Sequence, residues 1–296
     1  AVLILVRTAM ADIVNIILKM AIWETWAIFS VISLAIFLAV EEAEEFLEAA
    51  GFATVGDVME LVGENRILVK EGLKRLNRTQ NVGMAALIRA CKLEEMELKA
   101  YHIGFVLGPC INAGGRLDTA RRSLNLLLQE EKAKADLMAL KLKELNDERK
   151  DMTQKGTEEA IAWIEKEGRS SDKVLVVYLS DCHESLAGII AGRIRERYNK
   201  PVFVLTDSAD GVKGSGRSIE AYSMFEEMSK CKELYTKYGG HPMAAGLSLP
   251  PENVEKFRNF LNEHTTLTEE DFIPKITIDV PMPIGYITEK LIRELS

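Results

Sequence analysis

The spacing of apolar and polar positions changes character twice along this chain. In residues 1–40, Thr25 to Val40 form an uncharged run of about sixteen, short of the roughly twenty that a bilayer core needs. Extending that run backwards meets Glu24 and then Lys19, each costly at mid-membrane. It lacks the basic start and small-residue cleavage site of a secretory signal. A buried helix, a membrane anchor and a foreign or misread segment stay open for this atypical segment, and the short span disfavours the membrane. From Glu41 the pattern is acidic and helical as far as Gly51. Asn65 to Asn77 is amphipathic, with Ile67, Leu68, Leu73 and Leu76 on one face and a solvated basic face opposite. Gly83–Cys91 and Glu94–Val106 predict two further helices, closed by Gly108-Pro109. Leu117 to Glu167 is almost continuously helical and free of proline, with Gly156 its weak point, where Asp151 or Thr153 would cap a second piece. That length marks a connector between domains, with Gly168-Arg169-Ser170-Ser171 as the boundary.

Beyond the boundary the pattern becomes α/β. Lys173–Leu179 is a buried strand, Glu184–Tyr198 a helix with small early residues, and Pro201–Thr206 a second strand. Lys213–Ser218 predicts a third strand, Tyr222–Lys230 a helix, Met243–Leu249 a fourth strand and Val254–Asn262 a closing helix. After a linker, Lys275–Val280 begins another strand, and Glu289–Leu295 has a helical pattern that stops at Ser296. The start at Ala1 and this abrupt end lead us to expect a fragment or a processed product.

With 296 residues, 47% of them hydrophobic and 28% charged, the chain can hold one large domain or two to three small ones. A net charge of −8 argues against coating nucleic acid through bulk charge, so any polyanion site must rest on named residues. The four cysteines, Cys91, Cys110, Cys182 and Cys231, form no C-x-x-C pair. That scatter fits a reducing cytoplasm and argues against both a disulfide framework and a thiolate metal site.

Candidate chemistry concentrates in the α/β part. Gly214-Ser215-Gly216-Arg217-Ser218 and Gly239-Gly240-His241 are glycine-dense, and glycine lets backbone amides approach a ligand closely. Arg217, Ser218 and His241 donate to anionic oxygen, and Lys213 adds charge. A phosphate cradle and a pair of tight turns flanking a helix are both open readings. His183, between the first strand and the small-residue helix, sits where open sheets usually bind ligands; a structural histidine is the competing reading. We expect these three clusters to lie on loops of one small domain. In the first half, Ile111 to Asp118 reads as a glycine loop in which Arg116 and helix amides suit a phosphate or carboxylate, or in which Asn112 and Arg116 pin a domain junction. Asp57, after an apolar run at a glycine turn, is either a metal ligand or a helix N-cap with Glu60 completing a capping box.

Four of these segments stand in order: Gly108 to Leu117, His183 with Gly188-Ile189-Ile190-Ala191, Gly214 to Ser218, and Gly239 to Gly246. Together they resemble the RecJ family of single-strand-specific 5′→3′ DNA exonucleases, within the DHH phosphoesterase superfamily. The resemblance covers roughly residues 41–296. It implies an α/β architecture: an atypical apolar segment at 1–40, a C-terminal remnant of the DHH lobe at 41–125, a connecting helix at 126–170, a DHH-associated domain with a small mixed sheet at 171–266, and the beginning of an OB-fold at 267–296. It implies phosphodiester hydrolysis of single-stranded DNA in repair and recombination, with Mn²⁺ or Mg²⁺ as cofactor and with a single-strand-binding protein and a helicase as further partners.

Carried over by resemblance, Asp57 matches the last metal-binding aspartate of the DHH lobe. Arg116, His183, Lys213, Gly214, Ser215, Gly216, Arg217, Ser218, Gly239, Gly240 and His241 match segments that hold the strand's phosphates. The sequence also departs from the family: it has no Asp-His-His triplet and no Asp-x-Asp pair. Two-metal hydrolysis holds ions about 3.5–4 Å apart with several ligands, so the expectation is a substrate-gripping part that neither binds metal stably nor cuts by itself. Two alternatives remain: a non-catalytic single-stranded nucleic-acid-binding module, and a related DHH phosphoesterase acting on short oligonucleotides.

Overall fold

The computed structural model describes residues 46–209 and 211–295. The apolar segment at 1–40 and the first acidic residues after it lie outside the described residues. The rest divides into two compact units that meet in sequence at Lys150 and Asp151.

In the first unit, helices α1 (Leu47–Gly56) and α2 (Gly63–Leu76) pack at two glycines: a Cβ on Gly51 would lie 2.9 Å from the Gly72 Cα. Gly51 is therefore a crossing point inside α1 and not the helix end expected from the sequence. Helix α3 (Val82–Ala90) is N-capped by Asn81, whose side chain accepts from the Met84 amide. The expected helix from Glu94 begins only at Ala100. The residues before it are irregular, and the Asn77 side chain pins them by bonding both the amide and the carbonyl of Leu98.

A single turn at Ala100–His102 and a π-helical turn at Ile103–Leu107 lead directly into α4 (Gly108–Leu117). The Ile111–Asp118 stretch is thus mostly helical, a correction to the loop expected from its glycines. Tertiary packing explains it: a Cβ on Gly114 would stand 2.9 Å from the Ser123 Oγ and 3.2 Å from Leu142. Gly114 is the close-approach surface of α4, and Ser123 seals the contact by donating to the Ile111 carbonyl at 2.7 Å. Helix α5 (Ala120–Leu127) follows, capped by Thr119. The first core joins Leu87, Ile103, Leu107, Leu126 and Leu142.

Helix α6 (Lys132–Lys166) has 35 residues, of which those from Asp151 onward belong to the second unit. It runs unbroken through Gly156, where a Cβ would meet Ile190 at 2.6 Å. The glycine allows close packing there and does not divide the helix. The helical run expected from Leu117 is instead interrupted at Asp118–Thr119, between α4 and α5, and again at Leu128–Glu131, between α5 and α6.

The second unit is built on a mixed sheet of order β1-β2-β3-β5-β4. Strand β1 (Leu175–Tyr178) and β2 (Val202–Ser208) pair in parallel, joined by a 3₁₀ turn at Glu184–Leu186 and helix α7 (Ala187–Tyr198). Strand β3 (Gly211–Arg217) runs antiparallel to β2. Helix α8 (Met224–Ser229) precedes strand β4 (Lys237–His241), which pairs at the sheet edge with β5 (Ala244–Leu249). Helix α9 (Val254–His264) closes the unit.

Strand β2 is apolar at consecutive positions because both its faces are covered. Val202 and Val204 enter one core with Leu186 of the 3₁₀ turn and Ile190 and Ile194 of α7, whereas Phe203 and Leu205 enter another with Met224 of α8 and Phe257 of α9. The rings of Phe203 and Phe257 meet edge-to-face at 5.1 Å. Asp172 grips Arg258 of α9 through two bonds of 2.6 Å, and both side chains are largely buried.

Lys275–Val280 forms no strand. Its alternating Ile276, Ile278 and Val280 are exposed, because a strand needs a neighbouring ladder and none is supplied there among the described residues. A short helix α10 (Glu289–Leu295) follows.

Candidate nucleic-acid interface

Strand registers assemble the second unit's candidate residues more tightly than the sequence order indicates. Lys213 of β3 pairs with Ser248 of β5, which pairs with Lys237 of β4; Ser215 pairs with Gly246 and that with Gly239; Arg217 pairs with Ala244 and that with His241. Directly paired residues share a face, so these are three parallel cross-strand rows. The outer rows carry basic side chains at both ends, and the middle row is serine and two glycines. All three rows lie on the α7 side, since a Cβ on Gly188 of α7 would meet both the Arg217 guanidinium and the Ser215 Oγ at 2.8 Å.

Helix α7 covers the sheet only as far as this first column of side chains. Beyond it the surface is open and forms a groove of about 370 Å³, walled by Glu184, Ser185 and Thr206 and floored by Gly214, Gly246 and Ser248. Strand β4 is exposed throughout. A Cβ on Gly239 would meet nothing within 4 Å, and one on Gly246 would meet only the Gly214 carbonyl at 3.9 Å. Neither glycine has the positive φ that side chains avoid. Packing and backbone strain therefore leave this glycine pair unexplained. Glycine in a strand interior weakens the strand, and it commonly marks a place where a ligand or another backbone approaches closely.

Side chains in and beside the groove are held in position. Lys213 Nζ lies 2.7 Å from the Glu184 carboxylate. The Arg217 guanidinium donates to the Gly216 carbonyl at 2.7 Å and to the Ser215 Oγ at 3.2 Å, which keeps it against Gly188. His183 caps the 3₁₀ turn at the mouth of α7, its Nδ1 2.8 Å from the Ser185 Oγ.

The structure corrects three expectations for this site. Both glycine-dense segments lie in strands and not on loops: the first is the third strand the sequence predicts, and Gly239-Gly240-His241 is a strand where a turn is expected. Amides of β3 are engaged in ladders with β2 and β5 on both sides, so the cradle is made by side chains and an open floor rather than by converging amides. Ser218 points away: it is buried and donates to the Tyr222 carbonyl, so its hydroxyl reaches no ligand.

Within the ladder, Gly214 and Gly216 turn their Cβ directions to the opposite core. A Cβ at Gly216 would press within 2.7 Å of Met224 and Phe203, and one at Gly214 within 2.3 Å of Leu205. Gly240 likewise leaves room for Ala244 and Ala245. Sequence reasoning did not single out Lys237, Gly246 or Ser248. The alternation Lys237, Gly239, His241 is a period-two signal for the first, but consecutive glycines read as a turn.

In the first unit, Arg116 is exposed at the last turn of α4. It stands away from any helix N-terminus formed by its own glycines, since those glycines are inside the helix. Asp57 is exposed at the C-terminal end of α1, where its backbone caps the helix, which corrects the N-cap reading. Among the described residues no three His, Cys, Asp or Glu side chains come together as a metal site. A lone exposed carboxylate does not fit a two-metal centre.

Residues 171–266, the sheet and its three flanking helices, match the DHHA1 domain. More particularly, the chain is RecJ-like. It is 37% identical over 260 residues to the single-stranded-DNA-specific exonuclease RecJ of Bacillus subtilis, covering 86% of this chain and 33% of that protein. Against the Escherichia coli protein of the same name it is 36% identical over 238 residues, covering 77% and 41%.

The crystal structure of RecJ in complex with Mn²⁺ from Thermus thermophilus matches with a TM-score of 0.68 at 31% identity, over 75% of this chain and 32% of that one. A second, of exonuclease RecJ bound to manganese, matches with a TM-score of 0.64 over 74% and 55%. The chain thus spans about a third to two-fifths of the length of these curated relatives. Divalent metal is present in the relatives' structures, one of them with Mg²⁺.

Proposed function

We propose that this chain is the strand-gripping part of a single-stranded-DNA-specific exonuclease, and that the groove on the α7 side of the sheet holds the sugar–phosphate backbone. The observation that carries this reading is the Gly239–Gly246 pair, of which Gly246 floors the groove and Gly239 lies beside it on the edge strand. It is an unfilled middle row that the fold does not require, between one row with two lysines and another with an arginine and a histidine. A single strand laid across it would place phosphates against Lys213, Arg217, Lys237 and His241 without reading base edges, so binding is independent of sequence. The names of the relatives, single-stranded-DNA-specific exonucleases, support DNA as the strand.

On the same reading, residues 41–125 are the remnant of the DHH lobe, 126–170 the connector, 171–266 the gripping domain and 267–296 the approach to an OB-fold. Hydrolysis in the 5′→3′ direction would need Mn²⁺ or Mg²⁺ ligands beyond the lone Asp57. The isolated chain is therefore expected to bind single strands without cutting them. Work in the cytoplasm beside a single-strand-binding protein and a helicase accords with this role.

The test is fluorescence anisotropy of a labelled oligothymidylate across a salt series. Binding whose log affinity falls by about 0.7 per phosphate contact for each decade of salt is expected. Salt-independent binding, or none at low salt, overturns the grip. Robust turnover by the isolated chain with Mn²⁺ overturns the division of labour.

A further inference from the structure

The first unit holds a second reactive arrangement, remote from the groove's residues in sequence and unused by the proposed function. The Sγ atoms of Cys91 and Cys110 are 3.8 Å apart. Cys91 is half-buried at the C-terminal end of α3, and Cys110 is buried in α4. A disulfide bond is about 2.05 Å long, so each sulfur needs to move by about 0.9 Å, within reach of small side-chain rotations. From the geometry we propose that Cys91 and Cys110 form a peroxide-reactive dithiol, with Cys91 the attacking sulfur and Cys110 the resolving one.

Cys91 is the more exposed of the two, which favours that order. Asn146, itself buried, donates its Nδ2 to the Cys110 Sγ at 3.4 Å, a contact that orients the resolving sulfur and helps it shed its proton when it attacks in turn. The amide is fixed in that orientation because its Oδ1 accepts from Arg149 at 3.0 and 3.1 Å. The hydrogen bond with Cys110, helped by the fields of Lys143 and Lys150, draws the Cys91 thiol below its ordinary range. Its interaction with Cys91 and its burial push the Cys110 thiol up. A thiolate is the nucleophile, and the half-buried cysteine is the one a small oxidant reaches. By contrast Cys182, also half-buried, has its thiol raised by burial and by Glu159.

The step balances with a peroxide as oxidant. The Cys91 thiolate attacks one peroxide oxygen and breaks the O–O bond, which gives a sulfenic acid and, after protonation, water. Cys110 then attacks the sulfenic sulfur, gives up its thiol proton and expels a second water as the S–S bond forms. Two thiols and one hydrogen peroxide become one disulfide and two waters, and an external thiol reverses the change. The bond would tie the end of α3 to α4, closing a loop that contains the π-helical turn at Ile103–Leu107.

The test treats the full chain with substoichiometric hydrogen peroxide, alkylates it and maps the peptides by mass spectrometry. A Cys91–Cys110 cross-linked peptide pair is expected, about 2 Da lighter than the reduced pair. Cys182 and Cys231 should stay alkylatable, and dithiothreitol should restore all four thiols. Cys110→Ser should leave Cys91 as a sulfenic acid that dimedone traps, while Cys91→Ser should abolish oxidation of Cys110 at the same dose. If Cys110→Ser does not fold, the wild-type cross-link and Cys91→Ser decide. Equal modification rates at Cys91 and Cys182, or cross-links only between chains, would overturn the proposal.

Discussion

Replacing Gly239 by valine separates what the fold needs from what the ligand needs. Glycine in a strand interior costs roughly 0.5–1 kcal/mol relative to alanine, and β-branched residues suit strands better still. No atom stands within 4 Å of a Cβ at Gly239. Gly239→Val should therefore leave stability unchanged or raise it by up to about 1 kcal/mol, a shift in thermal midpoint of about one to four degrees for a unit of this size. Beside the groove, the new side chain occupies the middle row between the two basic rows. A charged hydrogen bond lost there is worth about 1.5–3 kcal/mol, so affinity for single-stranded DNA should fall about tenfold to hundredfold.

Gly216→Ala is the reciprocal case, because a Cβ there meets Phe203 and Met224 at 2.7 Å. It should lower the melting temperature whatever its effect on binding. Scanning calorimetry and oligonucleotide anisotropy on both variants complete the assay. A Gly239→Val chain that binds as tightly as the parent would refute the close-approach argument, and one that fails to fold would refute the packing argument.

Three further outcomes follow from the same geometry. Glu184→Gln removes the 2.7 Å ion pair to Lys213 and should raise affinity several-fold at low salt, since like charges at about 4 Å cost roughly 1 kcal/mol even in water; titration against the oligonucleotide checks it. Arg217→Gln should weaken binding to all sequences alike and reduce the salt slope by about 0.7, measured by repeating the salt series. Asp172→Asn should destabilise the second unit by about 3–5 kcal/mol by leaving Arg258 charged and largely buried, whereas replacing both partners with apolar residues should cost far less; urea denaturation of the single and double variants distinguishes the two.

Much of the fold was legible because the strongest signals were local. Strand β2 and helix α7 stand where an apolar run and a small-residue helix predicted them, as do β3 and β5 within a residue or two. What escaped notice depends on contacts distant in sequence. Gly114 is helical because Ser123 and Leu142 close over it, and no spacing rule within residues 108–117 reveals that. Strand β4 was hidden because two adjacent glycines ordinarily signal a turn. Only its pairing with β5 makes Lys237, Gly239 and His241 one face. Ser218 was assigned to the groove by its neighbours, but the chain has left β3 there and its hydroxyl has turned inward to Tyr222.

The exposed position of β4 has a cost apart from binding. As the last strand of its sheet, it presents unpaired backbone groups to solvent, and such an edge invites another copy to add a strand and seed aggregation. Lys237, His241 and the two glycines of β4, Gly239 and Gly240, are poor partners for that addition: two are polar or charged, and the glycines have weak β-propensity. The residues that leave the groove open to a nucleic-acid backbone thus also keep the edge from recruiting its own kind. A valine at position 239 should cost the chain solubility at high concentration even where it gains in melting temperature.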